Sequence, residues 1–252
     1  MAVIKSKLST DKTGEHTLTS KQFIDRLNSM PTNSFANNSK FFKDNTGTNI
    51  ILGVRMSSIF ALAKQFTDMP IEEIHKLIKS AYYEARMGAV SIMDFQARDK
   101  KTSPEKRKQL FELYLGNHKH INNWDLVDRG APYIVGGYLF DKARAPLYKL
   151  ARAKNVWERR TAIVSTYFFI RQNDIEDTFK IAEILLFDQH DLINKAVGSW
   201  IREAGKRDTK MLLIFLNKYA ATMPRVTLRY AIEKLDNKHK EIYMNAAKHH
   251  NP

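Results

Sequence analysis

Residues Asn122-Asn123-Trp124-Asp125-Leu126-Val127-Asp128 set an indole and a carboxylate four residues apart, at the predicted start of a helix. Four residues is slightly more than one helical turn, so Trp124 and Asp128 share a face. A fixed carboxylate stabilises positive charge that builds on a sugar when its glycosidic bond breaks. An aromatic face attracts a cationic sugar or base. If the substrate is a nucleoside whose base is already charged by alkylation, the base leaves neutral and needs no general acid. One Asp beside aromatic plates then suffices. On spacing alone a bland reading stands beside this one: Trp124 could belong to the core, and Asp128 could pair with a neighbouring arginine. Asp125 suits the first helical turn and Asn123 reads as the N-cap.

Other chemistries find no carrier in the chain. There is no Gly-rich phosphate loop, no H-E-x-x-H and no G-x-S-x-G. His118 and His120 have a ligand-like spacing, but no acidic or cysteine cluster accompanies them, so they read as loop histidines. His249-His250 reads as part of a frayed tail. Cysteine is absent, which excludes disulfides, iron–sulfur clusters and thiolate zinc sites and fits a reducing cytoplasm. No metal and no organic cofactor is expected.

The elements that position the pair follow from periodicity. The 252 residues, 43% of them apolar, suffice for a sizeable buried core. The first 15 or so residues read as a mobile tail, with a single domain over 16–252. The spacing predicts a helix over Ser20–Asn28 and a loop over Thr32–Asn49. Further helices are predicted over Ser57–Gln65, Ile71–Ser80, Tyr83–Ala97, Pro104–Asn117, Trp124–Phe140, Arg144–Ala153, Trp157–Gln172, Ile175–Phe187, His190–Gly205, Thr209–Tyr219 and Pro224–Leu235. The run Asn49-Ile50-Ile51-Leu52 is ambiguous, and no convincing strand is present. The class is all-α.

The later helices recur. Ala162, Ala196 and Ala231 stand 34 and 35 residues apart in similar surroundings, the period of a HEAT or armadillo α-solenoid. Stacked pairs would build one core and a concave surface; an irregular bundle of similar helices is the alternative.

The charge balance suggests what that surface meets. Lys and Arg number 41 against 27 Asp and Glu, a net charge of +14. A polyanion is the expected partner, nucleic acid first and an acidic membrane surface second. No apolar run approaches the ~20 residues of a spanning helix and no signal peptide heads the chain, so no membrane partner is expected. Arg159, Arg160, Lys195, Arg225 and Arg229 are read near the starts of the recurring helices. A cation there is disfavoured by roughly 0.3–1 kcal/mol, unless an anion occupies the N-terminus. In register, such sites would form a basic groove for duplex phosphates, extended by Arg202, Lys206 and Arg207 unless these are ordinary solvated charges.

Taken together, these blocks resemble the AlkD-like DNA alkylation-repair family, DNA glycosylases built of HEAT-like repeats. The resemblance runs from about Phe41 onward. It rests on Leu52-Gly53-Val54-Arg55, the block from Asn122 to Asp128, Trp157-Glu158-Arg159-Arg160-Thr161-Ala162-Ile163-Val164, Asp191-Leu192-Ile193-Asn194-Lys195-Ala196-Val197-Gly198 and Ile201-Arg202-Glu203. It implies removal of cationic N3- and N7-alkylpurines without a deep base pocket. Asp128 would be the catalytic carboxylate, Trp124 an aromatic wall against the deoxyribose, and Arg160 and Arg202 DNA contacts. The implied partner is double-stranded DNA carrying alkylated bases, met by a monomer in the cytoplasm and nucleoid. Where the family usually has a second active-site tryptophan, this chain has Ser199; Trp200 follows, turned about 100° around the helix and so not expected in the same place. Ser199 favours an alternative reading, a non-enzymatic HEAT-like module that binds damaged or branched DNA.

Overall fold

The computed structural model describes residues 17–32 and 49–246, and within them the chain is helical with no named strand. The predicted tail, most of the predicted 32–49 loop and His249-His250 lie outside the described residues. The chain divides into two compact units, residues 1–120 and 121–252. No described helix is long and apolar enough to cross a membrane.

The first unit holds α1 (Ser20–Asn28), α2 (Met56–Gln65), α3 (Ile71–Ile78), α4 (Tyr83–Arg98) and α5 (Pro104–Gly116), then a 3-10 turn over His118–His120. Thr19 and Gln22 cap α1 reciprocally, each side chain taking the other's backbone N–H. The central helix is α4, buried on almost every side. Phe23 lies over Gly88, where an added Cβ would fall 2.2 Å from the ring. Two charged residues of α4 tie down the chain before it. Buried Glu84 accepts from the Leu52 and Gly53 amides at 3.0 and 2.8 Å, holding a turn in which Gly53 has φ 81°. Only glycine adopts that angle readily. Buried Arg86 donates to the carbonyls of Ser80 and His120 at 2.8 and 3.1 Å. The ambiguous 49–52 run therefore forms no strand; Ile50 makes an isolated bridge to Tyr82.

The second unit begins with α6 (Trp124–Gly130), which runs through a π-helical turn (Ala131–Gly136) into the short α7 (Gly137–Leu139). Periodicity alone predicts one regular helix over 124–140. Pro132 has no N–H to continue the i→i−4 ladder, and a π turn absorbs the gap. Next come α8 (Ala145–Ala151), α9 (Val156–Arg171), α10 (Glu176–Leu185), α11 (Asp191–Gly205), α12 (Thr209–Tyr219), α13 (Arg225–Ala231) and α14 (Asn237–Ala246). The predicted Pro224–Leu235 helix stops at Ala231, and α14 had no sequence expectation. Its strongly polar face and single buried residue, Tyr243, leave little periodic signal.

The helix pairs stack as the recurrence predicts. α9 packs on α8, α10 and the π turn, and α11 packs on α9, α10, α12 and α13. The repeated Ala162, Ala196 and Ala231 are all buried in this stack. Glycine sets its closest contacts: a Cβ on Gly136 would fall 2.1 Å from the Ser165 carbonyl oxygen of α9, and one on Gly198 2.5 Å from that of Thr227 in α13. The α9–α10 turn closes on Asn173 at φ 62°, with the Asp174 amide bonded back to the Phe169 carbonyl at 3.0 Å. The fold is all-α and consistent with a helical-repeat solenoid.

Candidate active site

α6 carries Trp124 and Asp128 on one face, as their spacing requires, and both are half-buried rather than core. Asn123 occupies the N-cap position without making the capping bond. Its Nδ2 donates instead to Asp125 Oδ1 at 2.9 Å, and the same oxygen accepts the Leu126 amide at 2.9 Å. Asp125 therefore does the local bonding that the sequence suggested for Asn123.

The arginine that meets Asp128 comes from α9, 32 residues on. Arg160 Nε donates to Asp128 Oδ1 at 2.9 Å and Nη2 to Oδ2 at 2.8 Å. A third bond, from Nη1 to the Leu192 carbonyl at 2.7 Å, ties the same guanidinium to α11. The Arg160 side chain is 10% exposed and that of Asp128 33%. This forked pairing orients the carboxylate. It uses two of the roughly four lone-pair directions of a carboxylate and leaves two for other donors.

Both residues line a cleft of about 800 Å³ together with Trp124. α11 contributes Leu192, Lys195, Ala196, Ser199, Trp200, Arg202 and Glu203 to the same cleft, α9 adds Tyr167 and α13 adds Tyr230. The α11 residues fall at steps of three and four, a stripe broad enough to hold both Ser199 and Trp200. A one-residue displacement would set Trp200 aside only if the stripe were narrow. In the structure Trp200 lines the cleft and stacks on Tyr167, ring centroids 5.0 Å apart and planes inclined by 35°.

The five cations read as helix-start residues, and Arg202 read further along its helix, separate into groups. Arg160, Lys195 and Arg202 line the cleft; Arg159, Arg225 and Arg229 do not. Arg159 braces Asp188 and donates to the Ala153 and Lys154 carbonyls at 3.1 and 2.7 Å. Arg225 donates to the Met244 carbonyl at 3.0 Å and is exposed, as is Arg229. The helix starts are not the run of cations that the sequence predicts. α9 and α11 carry Glu158 and Asp191 in their first turns, the choice that the helix dipole favours. Arg229 lies in the last turn of its helix, where a cation is favourable. Arg225 alone of the five opens a helix.

Every cationic side chain of the cleft has an acidic neighbour. Lys195 bonds Asp191 at 2.7 Å, which raises its pKa, and Arg202 bonds Glu203 at 3.2 Å and also Glu233. Beside the cleft a smaller cavity of about 330 Å³ shares Tyr167 and Glu203 with it and is lined by Arg171, Lys206 and Arg207. No group of three or more potential metal ligands stands together among the described residues. His118, read as a loop histidine, is buried in the 3-10 turn edge-on to Tyr114, and burial lowers its pKa to about 4.

Sequence reasoning missed Tyr167, Tyr230 and Glu203. Tyr167 had a signal: it is two turns after Arg160 on the same face of α9. Tyr230 had none, because only the packing of α13 on α11 brings it to the cleft.

A family model described as DNA alkylation repair enzyme matches residues 28–235. No curated protein matches the chain. A solved structure described as a predicted DNA alkylation repair enzyme from Enterococcus faecalis is similar at TM-score 0.59 and 17% identity, over 80% of this chain and 97% of that one. At that identity the likeness carries the fold alone. The family match spans most of the chain, from the last residue of α1 through α13, and takes in Trp124, Asp128 and Arg160: the protein belongs to the DNA alkylation repair enzyme family.

Proposed function

We propose that the chain is a DNA glycosylase that hydrolyses the N-glycosidic bond of cationic N3- and N7-alkylpurines in duplex DNA. Membership of a DNA alkylation repair family implies DNA as the partner. The observation that carries the reading is a carboxylate, Asp128, oriented by Arg160 and lining the same cleft as the Trp124 indole.

In this mechanism the bond between the sugar C1′ and the purine nitrogen breaks, and its electron pair passes to the purine. That pair cancels the positive charge of the alkylated base, which leaves neutral. Positive charge appears on the sugar, where Asp128 stabilises it at close range and Trp124 offers its π face. Water adds at C1′ and gives up a proton, with Asp128 as its first acceptor. The products are a free alkylpurine, an abasic site and one proton. Arg160, Lys195 and Arg202, with exposed Arg225 and Arg229, supply cations for backbone phosphates. Arg160 would hold Asp128 in its reactive orientation and offer its remaining N–H groups to DNA.

The test is the release of free 7-methylguanine and 3-methyladenine from methylated duplex DNA. The expected result is release, with one abasic site per base. Binding of the duplex without release of either base would refute the glycosylase and leave a DNA-binding module.

A further inference from the structure

The cations of the Asp128 cleft all hold carboxylates, whereas two of the three in the smaller cavity beside it hold none. Arg171 closes α9 and Arg207 follows the end of α11, so two helices deliver a guanidinium to one space. Both side chains are exposed, and neither makes an ion pair or a side-chain hydrogen bond among the described residues. The carboxylates nearest them in sequence are engaged elsewhere. Asp174 holds Arg144 at 2.6 Å, and Asp208 caps α12 by accepting the Met211 amide at 3.1 Å. Glu203 holds Lys206 at 2.7 Å and Arg202 at 3.2 Å. The small cavity thus sets three cations against one carboxylate, and the cleft three against two. The helix dipole favours a cation at a C-terminus and accounts for one arginine at each helix end. It does not account for both lining the same cavity with every nearby carboxylate committed. Two planar N–H forks at one cavity suit the oxygens of a phosphate.

We propose that Arg171 and Arg207 form a phosphate site outside the Asp128 cleft, and that this site grips the DNA backbone more tightly than the cleft's own Lys195 and Arg202. Lys195 must part from Asp191, and Arg202 from Glu203 and Glu233, before either meets a phosphate. Arg171 and Arg207 break no ion pair on binding. Arg171 lies eleven residues beyond Arg160 on α9, about 16 Å along the helix axis. That is further than a deoxyribose stands from its own phosphates, so the phosphodiester held there belongs to a neighbouring nucleotide. The contact is to the backbone and carries no base preference. The site rests on DNA as the partner and not on the glycosylase chemistry, so the two readings fail separately.

The experiment measures binding of an undamaged duplex to the full-length protein over a series of salt concentrations, with urea stability measured on each variant. The double variant Arg171→Gln, Arg207→Gln should lower the slope of log affinity against log salt by about 1.8, the loss of two phosphate contacts. Arg171→Lys with Arg207→Lys keeps the charge and should keep the slope, which separates lost charge from lost fold. A second double variant, Lys195→Gln with Arg202→Gln, removes the same number of cations from the cleft. Its affinity should fall less, by about threefold or more, because each cation it removes was already paired. A folded Arg171→Gln, Arg207→Gln protein with the wild-type slope overturns the site and leaves two arginines that serve the helix dipoles. An equal or larger affinity loss from the Lys195, Arg202 pair overturns the claim that the outer site grips more tightly. If wild type releases no alkylated base but the slope depends on Arg171 and Arg207, the phosphate site stands and the glycosylase reading fails.

Discussion

Arg160 grips both oxygens of Asp128 from a different helix, at 2.9 and 2.8 Å, while its third bond reaches the Leu192 carbonyl at 2.7 Å. One guanidinium thus ties α6, α9 and α11 together at the cleft. Lysine has the charge but not the planar fork. Arg160→Lys should lower base release by at least tenfold, because Asp128 loses its orientation. Arg160→Ala also leaves a carboxylate and a carbonyl unpaired, and should lower stability by about 1–3 kcal/mol. Urea unfolding beside single-turnover base release checks both.

Two glycines should differ sharply under the same substitution. Gly136→Ala places a methyl 2.1 Å from a backbone oxygen of α9, so the π turn that follows Asp128 must move away from the helix that carries Arg160. The expected cost is about 1–3 kcal/mol with a loss of activity. Gly116, at the end of α5, has nothing within 4 Å of an added Cβ. Gly116→Ala should be neutral or stabilising by up to about 1 kcal/mol. Denaturant midpoints compare the two.

His118 gives the fold a pH dependence. Burial holds its folded pKa at about 4, below the ordinary 6.5. Between those values the unfolded chain binds more protons, so stability rises with pH through this window. It is lost as pH falls from 6.5 toward 4, by about 3 kcal/mol in all. His118→Gln should flatten the curve by that difference between pH 7 and pH 4. Far-UV circular dichroism is the right probe, because Trp124, Trp157 and Trp200 all lie in the other unit.

Salt dependence should separate cations that meet DNA from cations that brace the fold. Arg202→Ala should reduce the slope of log affinity against log salt by about 0.9, the loss of one phosphate contact. Arg159→Ala should leave the slope unchanged and lower stability, since Arg159 is bonded to Asp188 and two carbonyls. Equal slopes for wild type and Arg202→Ala would remove Arg202 from the interface.

Helical periodicity made most of the fold legible, because each helix buries a stripe and the stripe shows in sequence. Ser20–Asn28 and Thr209–Tyr219 emerge with their expected bounds. The π turn did not show, since apolar spacing continues through Ala131–Gly136 and only Pro132 marks the break. Trp124 and Asp128 were readable as neighbours because they are one turn apart. The Asp128–Arg160 pair was not, since 32 residues separate its members and only the stacking of α9 beside α6 joins them. Trp200 was set aside for the same reason: the width of a cleft is a property of packing, not of one helix. The basic residues show the limit of register arguments. Arg159 and Arg160 are adjacent, yet one braces a loop and the other lines the cleft.

The central claim is that Asp128 acts on the glycosidic bond rather than on binding or folding. The direct measurement is the single-turnover rate of 7-methylguanine release for wild type and Asp128→Asn, with duplex affinity and urea stability measured on the same proteins. The account predicts a rate loss of about a hundredfold or more, as for removal of a preorganised electrostatic group. Affinity should stay within a few-fold and the variant should remain folded. A folded Asp128→Asn variant that releases base at the wild-type rate would contradict it.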